Sequence, residues 1–423
     1  MAKQHTMVSS KRVAAVCFAL FLFAGYYKAA DLLQFVAIDL TLLFCAATAG
    51  FCVLALWRQR RLPPGSIPML VVFLAMAMGL HWPEGFGTYP VQKELRLFSL
   101  TALSAFAPLL LLQERDERAV FVYAITLLGA VMAAAALFQL VGSASHMRTG
   151  VFNTNPILLA RASGFALLVL CLLYWQGRIG RWIFTPAAIA VLLGLLVSSS
   201  RGPLVAVLVT TVTMVPLSIA VAQSRPRVWG TVLVGAAGVA VAVFYLSLTR
   251  TYLLRRLLRL LTGEWGDTEV LRWTVWRQTL DVIAGSPLGI GWGRLGDLVQ
   301  VYYKDTLLIN YPHNIVLEIW AEAGWLAGAA FVVVVGKIFL SGFRQAYRAE
   351  SSATDPASLD RIIVFIAPVY WFACAFFSGD VNDNRPLWAM LGMALAAQGF
   401  HEIRGFAYAG NIGRSSNDEN DAS

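Results

Sequence analysis

The chain returns again and again to uninterrupted apolar stretches of about twenty residues, the length a helix needs to cross the hydrocarbon of a bilayer. About twelve can be counted, at residues 12–29, 32–57, 66–82, 96–113, 119–141, 156–176, 182–199, 203–222, 228–249, 314–340, 361–379 and 386–403. The runs are continuous rather than alternating, which excludes a β-barrel. Only 13% of the residues are charged, against about 25% in soluble domains, so lipid is the solvent for most of this chain. The pattern predicts an all-α polytopic membrane protein with one transmembrane domain over residues 1–405 and a disordered polar tail over 406–423.

Charge sets the orientation. Arg58, Arg60 and Arg61 fall in one connection, Arg115 and Arg118 in the next but one, then Arg178 with Arg181, then Arg225 with Arg227. Lys337, Arg344, Arg348 and Arg361 flank a later connection, Lys11 and Arg12 precede the first run, and Arg404 and Arg414 follow the last. Every second connection is basic, so the positive-inside rule puts both termini in the cytoplasm and makes the number of spans even. The net charge of +9 is dispersed among the spans, which argues for topology and against nucleic-acid binding. Cys17, Cys45, Cys52, Cys171 and Cys374 all lie in apolar runs without a CxxC pair, and read as packing residues. Lys3, Lys11 and Arg12 ahead of the first run resemble a signal peptide, but no small-x-small cleavage site follows, so an uncleaved helix is expected.

Residues 250–312 form one long outward connection between the ninth and tenth spans, too long for a passive turn. RTYLLRRLLRLL from Arg250 has the pattern of a basic interfacial helix. DTEVLRWTVWRQTLDVI from Asp267 predicts a second helix carrying Arg272, Trp273, Trp276 and Arg277. Gly291-Trp-Gly-Arg-Leu-Gly296 spells a dinucleotide-binding pattern, but no strand or βαβ unit precedes it; SPLGIGWG reads as a turn back to the membrane.

Ionisable residues at bilayer depth are functional candidates. Arg161 lies about five residues, or roughly 8 Å, inside the helix that Asn155-Pro156 starts, and it either faces a cavity or snorkels outward. Arg201 follows Ser198-Ser199-Ser200; these hydroxyls beside a guanidinium make either an ordinary helix start or an anion site. His313 stands where the long loop enters the tenth span, followed by Asn314, Glu318 and Glu322. On a regular helix the two glutamates point away from His313 and would brace neighbouring helices or loop arginines. Gly324 and Gly328 read as a close helix contact. Asp380 and Asp383 in the last outward turn have no compact spacing and no nearby histidine, so no metal site is expected.

NPILLARA from Asn155, SSSRGP from Ser198, LRWTVWRQTL with PLGIGWG in the loop, and HNIVLEIWAEAG from His313 together resemble the O-antigen ligase and polymerase superfamily of membrane glycosyltransferases. The likeness spans about residues 150–395 and departs at 153–156, where Asn-Thr-Asn-Pro stands in place of Asn-Pro-Asn. Length, twelve spans and a single long loop are closest to the lipopolysaccharide O-antigen ligases. The resemblance implies a GT-C-like bundle in a bacterial inner membrane with a periplasmic active site. It implies O-antigen on undecaprenyl pyrophosphate as donor, a sugar hydroxyl of lipid A–core as acceptor, and no cofactor. Arg161 and Arg201 would then stabilise the pyrophosphate leaving group, with Arg272 and Arg277 assisting and Trp276, Ser200, Asn314, Glu318 and Glu322 in support. His313 would take the proton of the attacking hydroxyl, with inversion at the anomeric carbon, or would only hydrogen-bond a substrate. A polymerase, a protein O-oligosaccharyltransferase and, from another class, a secondary transporter remain as alternatives. A transporter ordinarily puts its polar broken helices at the midplane in paired repeats, whereas the charges here cluster at one face.

Overall fold

The structure, a computed structural model, describes residues 2–63, 65–80, 88–142, 150–221, 225–233, 235, 267–299, 302–303, 306–307, 311–347 and 356–399. The fold is a helical bundle: α1 (Ala2–Leu22), α2 (Leu40–Gln59), α3 (Ser66–Met76), α4 (Tyr89–Leu111), α5 (Arg115–Gly142), α6 (Pro156–Trp175), α7 (Arg181–Val197), α8 (Arg201–Val221), α9 (Asp267–Gly285), α10 (Ile315–Tyr347), α11 (Pro356–Phe377) and α12 (385–399). Among the described residues seven helices are long and apolar enough to cross a membrane: α2, α4, α5, α6, α8, α10 and α11. The protein is a polytopic α-helical membrane protein. Apart from 225–233, which is helical, and residue 235, the expected ninth run lies outside the described residues, as do 250–266 and the 406–423 tail.

Helix boundaries follow local chemistry. The second helix begins at Leu40 rather than near residue 32, because the Asp39 carboxylate accepts the Thr41 N–H at 2.7 Å and caps it there. Asn155 does the same for α6, accepting from Ile157 with Pro156 at the first helical position. The fourth helix starts seven residues earlier than its apolar run, at Tyr89, with one π-helical turn over Leu97–Thr101. The polar stretch QKELR therefore belongs to the helix, and with it Lys93.

Where helices meet, small residues let backbones close in, the packing that drives association when the surrounding lipid is as apolar as the side chains. A Cβ at Gly129 on α5 would sit 2.4 Å from the Ala162 carbonyl oxygen of α6. Helices α6 and α11 are central, with Phe165 against Tyr370 and Trp371.

One expectation is overturned. Gly324 is no helix–helix contact: it breaks α10, with φ 87° and ψ 179°. Its missing Cβ makes room for the Leu288 carbonyl, while Gly328 lies under the Trp320 indole. The break frees carbonyls that the glycine-rich segment then satisfies: Ile290 N–H donates to Ala321 O at 3.0 Å and Gly291 N–H to Glu322 O at 2.9 Å. Trp292 caps the end of α3, its backbone N–H on Gly79 O and its indole N–H on Met76 O. Irregular backbone inside an apolar span survives only when its polar groups are met in this way.

Contacts sort the connections into two faces. At one, Lys11 pairs with Glu114, Arg12 with Asp116, Gln59 with Gln113 and Arg118 with Asp360. At the other, Asn153 donates to Asp31, Thr101 to Asn382 and Arg161 to Ser378. Single cysteines at exposed positions Arg60 and Arg178 should therefore react with an impermeant maleimide from one side of the membrane, and cysteines at Asn153 and Asp383 from the other. Labelling of Arg60→Cys and Asp383→Cys from the same side would contradict this arrangement.

Candidate functional site

Helix α10 starts where it does because the Asn314 carbonyl oxygen of the side chain accepts from Val316 and Leu317, at 3.0 and 3.2 Å. This cap turns the preceding residue, His313, into the left-handed region at φ 56°, a conformation that costs a non-glycine residue on the order of 1–3 kcal/mol. The backbone is held there from outside: the Trp276 indole N–H of α9 donates to Pro312 O at 2.9 Å, and the Tyr311 ring meets the imidazole edge-on at 4.6 Å. His313 Nδ1 is buried without a hydrogen-bond partner. Burial, reinforced by the Arg272 guanidinium, lowers the imidazole to about 4, with Asp380 pulling the other way. Asp380 is itself raised by burial and by Asp383 beside it.

Arg161 is 1% exposed, so it faces inward rather than snorkelling. Its Nη2 donates to Ser378 O at 2.6 Å, Ser378 Oγ at 3.1 Å and Cys374 O at 3.3 Å, the last turn of α11 and its exit, while Nε is buried without a partner. Tyr370 Oη donates back to the Arg161 carbonyl at 2.8 Å. Arg201 opens α8 against the same place, since a Cβ on Gly202 would meet Phe377 at 3.2 Å. The serine run ahead of it is a tight turn. Ser198 Oγ donates to Leu195 O and accepts from Ser200 N–H, and Ser199 is left-handed at φ 53° with its buried hydroxyl unpartnered. Arg161, Arg201 and the His313 loop thus gather around the exit of α11. Arg277 lines, with Asn314 next to His313, a groove of about 600 Å³ that Trp273, Trp276, Leu280, Val316, Leu317 and Phe376 make almost wholly apolar.

Residues 186–332, about a third of the chain, match the family model described as O-Antigen ligase. Over that third the chain is similar to the O-antigen ligase family. A comparison with curated proteins found no match. The matched segment carries Arg201, Arg272, Arg277, His313, Glu318 and Glu322, whereas Arg161 and Lys93 lie outside it.

Lys93 is what the sequence reading missed. Its Nζ lies 2.6 Å from a carboxylate oxygen of Glu318 and 2.6 Å from one of Glu322, and all three side chains are at most 1% exposed. The glutamates do brace a neighbouring helix, as their direction on α10 required, but through a lysine rather than a loop arginine. Gln92–Arg96 reads as one more helical turn ahead of an apolar run, which places Lys93 on the helix but does not by itself bury it. Asn382 ties the last outward turn to the same point, donating to Lys93 O at 3.0 Å and accepting from Thr101 at 2.7 Å. Removing one partner of a buried ion cluster strands the others, at about 3–5 kcal/mol. Lys93→Met should therefore lower the melting temperature of the purified protein sharply, and adding Glu318→Gln and Glu322→Gln should recover part of the loss. A Lys93→Met protein that melts with the wild type would show that the trio contributes nothing to stability.

Proposed function

We propose that the chain is a lipopolysaccharide O-antigen ligase, moving a glycan from undecaprenyl pyrophosphate to a sugar hydroxyl of lipid A–core. In this reading it crosses the inner membrane twelve times with both termini in the cytoplasm, and residues 250–312 and the site face the periplasm. The observation that carries it is the convergence of a buried arginine, a second arginine and a neutral histidine on the exit of α11, beside an apolar groove. That set suits a substrate with a pyrophosphate head and an isoprenoid tail.

The chemistry follows from the groups. The acceptor oxygen attacks the anomeric carbon from the face opposite the pyrophosphate, the carbon–oxygen bond to pyrophosphate breaks with its electron pair, and His313 takes the hydroxyl proton. The configuration inverts. Arg161, through the Nε its carbonyl partners leave unused, and Arg201 stabilise the charge on the leaving group, with Arg272 and Arg277 in support. Ser200 shapes the turn that presents Arg201, and Trp276 with Asn314 fixes the His313 backbone. These cations supply the electrostatic stabilisation, and the chemistry calls for no cofactor or metal.

An imidazole at about 4 is neutral at pH 7 and can accept a proton, though it is a weaker base than an ordinary histidine. A bound pyrophosphate opposes Arg272 and raises it in the complex. In the free enzyme His313 is charged only below about pH 4, so the base is competent above that and lost below it. kcat/KM should therefore stay level down to about pH 5 and then fall, while kcat, which reports the donor complex, should fall at a higher pH. General-base catalysis is worth about 10²- to 10⁴-fold, so His313→Ala should bind donor yet barely transfer in single-turnover assays with lipid A–core. His313→Gln transferring within a few-fold of wild type would reduce His313 to a hydrogen-bonding role. Transfer onto a second lipid-linked glycan instead of lipid A–core would make the protein a polymerase.

The arginines have their own test. Lysine keeps the charge but not the planar fork, so Arg161→Lys and Arg201→Lys should each cut transfer strongly in protein that still melts as wild type. Near-normal transfer by both would make these arginines structural.

A further inference from the structure

The face opposite the site carries a second cavity, of about 240 Å³, between the start of α5, Arg178 in the α6–α7 connection and the start of α11. Its rim is charged and its floor is not. Arg115, Asp116, Arg118, Asp360 and Arg178 form its charged lining, and Ala119, Val122, Tyr123, Leu359 and Ile363 the rest.

The charges at the rim are not equivalent. Arg118 is held by Asp360 in a two-pronged pair, Nε to Oδ1 at 3.0 Å and Nη2 to Oδ2 at 2.5 Å, and also donates to the Leu112 and Gln113 carbonyls. Asp116 is paired with Arg12 at 3.3 Å, and Glu114 and Glu117 with Lys11. With the acids so engaged, the exposed Arg115 and Arg178 side chains have no ion pair or hydrogen bond among the described residues. A positive-inside bias accounts for arginines on this face, but not for two of them meeting over one cavity. From Arg115 to Tyr123 the wall descends about 12 Å along α5, from a charged rim to a side chain 45% exposed on the apolar span.

We propose that this cavity is a binding site for an anionic phospholipid, independent of the transfer reaction. The headgroup phosphate is held by the Arg115 and Arg178 guanidiniums, and an acyl chain runs over Val122, Tyr123 and Ile363. Basic pockets between transmembrane helices select anionic over zwitterionic headgroups because the latter carry their own cation. The apolar floor is the reason for choosing a lipid over free phosphate: inorganic phosphate would use the rim and leave the floor empty.

The test uses the full chain purified in detergent, with native mass spectrometry reading retained phosphatidylglycerol or phosphatidylcholine. Wild type should retain phosphatidylglycerol in preference. Arg115→Gln and Arg178→Gln should each weaken that retention about fivefold while the melting temperature in phosphatidylcholine stays that of wild type. Ala119→Trp, which fills the cavity and keeps both arginines, should abolish it. The pair Arg60→Gln and Arg61→Gln, basic residues outside the cavity, should leave it unchanged. Equal retention by the Arg115/Arg178 double variant, or equal loss in the Arg60/Arg61 pair, would overturn the site in favour of general surface charge. Displacement of the lipid by inorganic phosphate at equal concentration would overturn the lipid assignment.

Discussion

Lys93 meets two carboxylates from a single helix in a place water does not reach. A lone charge there would cost several kcal/mol, so each of the three groups fixes the position of the others. Helix α4 has to begin early enough to bring Lys93 inside, and the first two turns of α10 have to face it. The continuation of α10 then breaks at Gly324, two residues past Glu322, and the carbonyls of Ala321 and Glu322 are taken up by the backbone of Ile290 and Gly291. Trp292, which closes that segment onto α3, lies with its ring 5.8 Å from the Lys93 ammonium. One ion cluster thus registers α3, α4, α10 and the glycine-rich segment against each other, at the inner end of the turn that carries His313.

Of the five non-glycine residues with positive φ among the described residues, Arg60 ends α2 at the opposite face and the other four lie at the face of the candidate site. Phe152, Asn153, Ser199 and His313 all adopt positive φ without being glycine. Each sits at the entry to, or just before, a helix whose first turns contribute an arginine or the histidine: α6, α8 and α10. Strain of this kind persists only where packing over-determines it. Here the clamps are visible: Asn153 onto Asp31 and the Ala29 carbonyl, Ser198 onto Leu195, and Trp276 onto Pro312. The electrostatics are tuned in the same region, where burial and Arg272 keep His313 neutral while Asp380, raised by its own burial, sits close enough to oppose them.

Much of this was legible in the sequence because lipid leaves few options. Continuous apolar runs meant helices, whereas Arg161 in an apolar helix could face a cavity or snorkel, and its burial decides for the inside. The glutamates of α10 pointed away from His313 by helical geometry alone, and Asn155-Pro156 announced the start of α6. What stayed hidden needed partners distant in the chain. Lys93 is separated from Glu322 by 229 positions, and nothing local to QKELR says that its lysine is buried. Gly324-x-x-x-Gly328 spells a helix-packing motif, and only the approach of Leu288 reveals that the first glycine is a break. The serines ahead of Arg201 left an ordinary helix start and an anion site both open; short-range geometry turns Ser198 and Ser200 onto nearby backbone, and the buried Ser199 hydroxyl has no partner.

The groove and the histidine cannot be treated as separate parts. Trp276 lines the groove with its ring, meets Phe376 in a T-shaped contact with ring centroids 5.8 Å apart, and donates its indole N–H to the carbonyl of Pro312, the residue before His313. Phe376 in turn belongs to the last turn of α11, which Arg161 grips through Cys374 and Ser378. A displacement of α9 large enough to open or close the groove must break the bond to Pro312 or carry the left-handed turn at His313 with it. Because that turn is already strained, it has little freedom to absorb the motion by itself. The apolar groove and the backbone that positions the imidazole therefore share one tryptophan, Trp276.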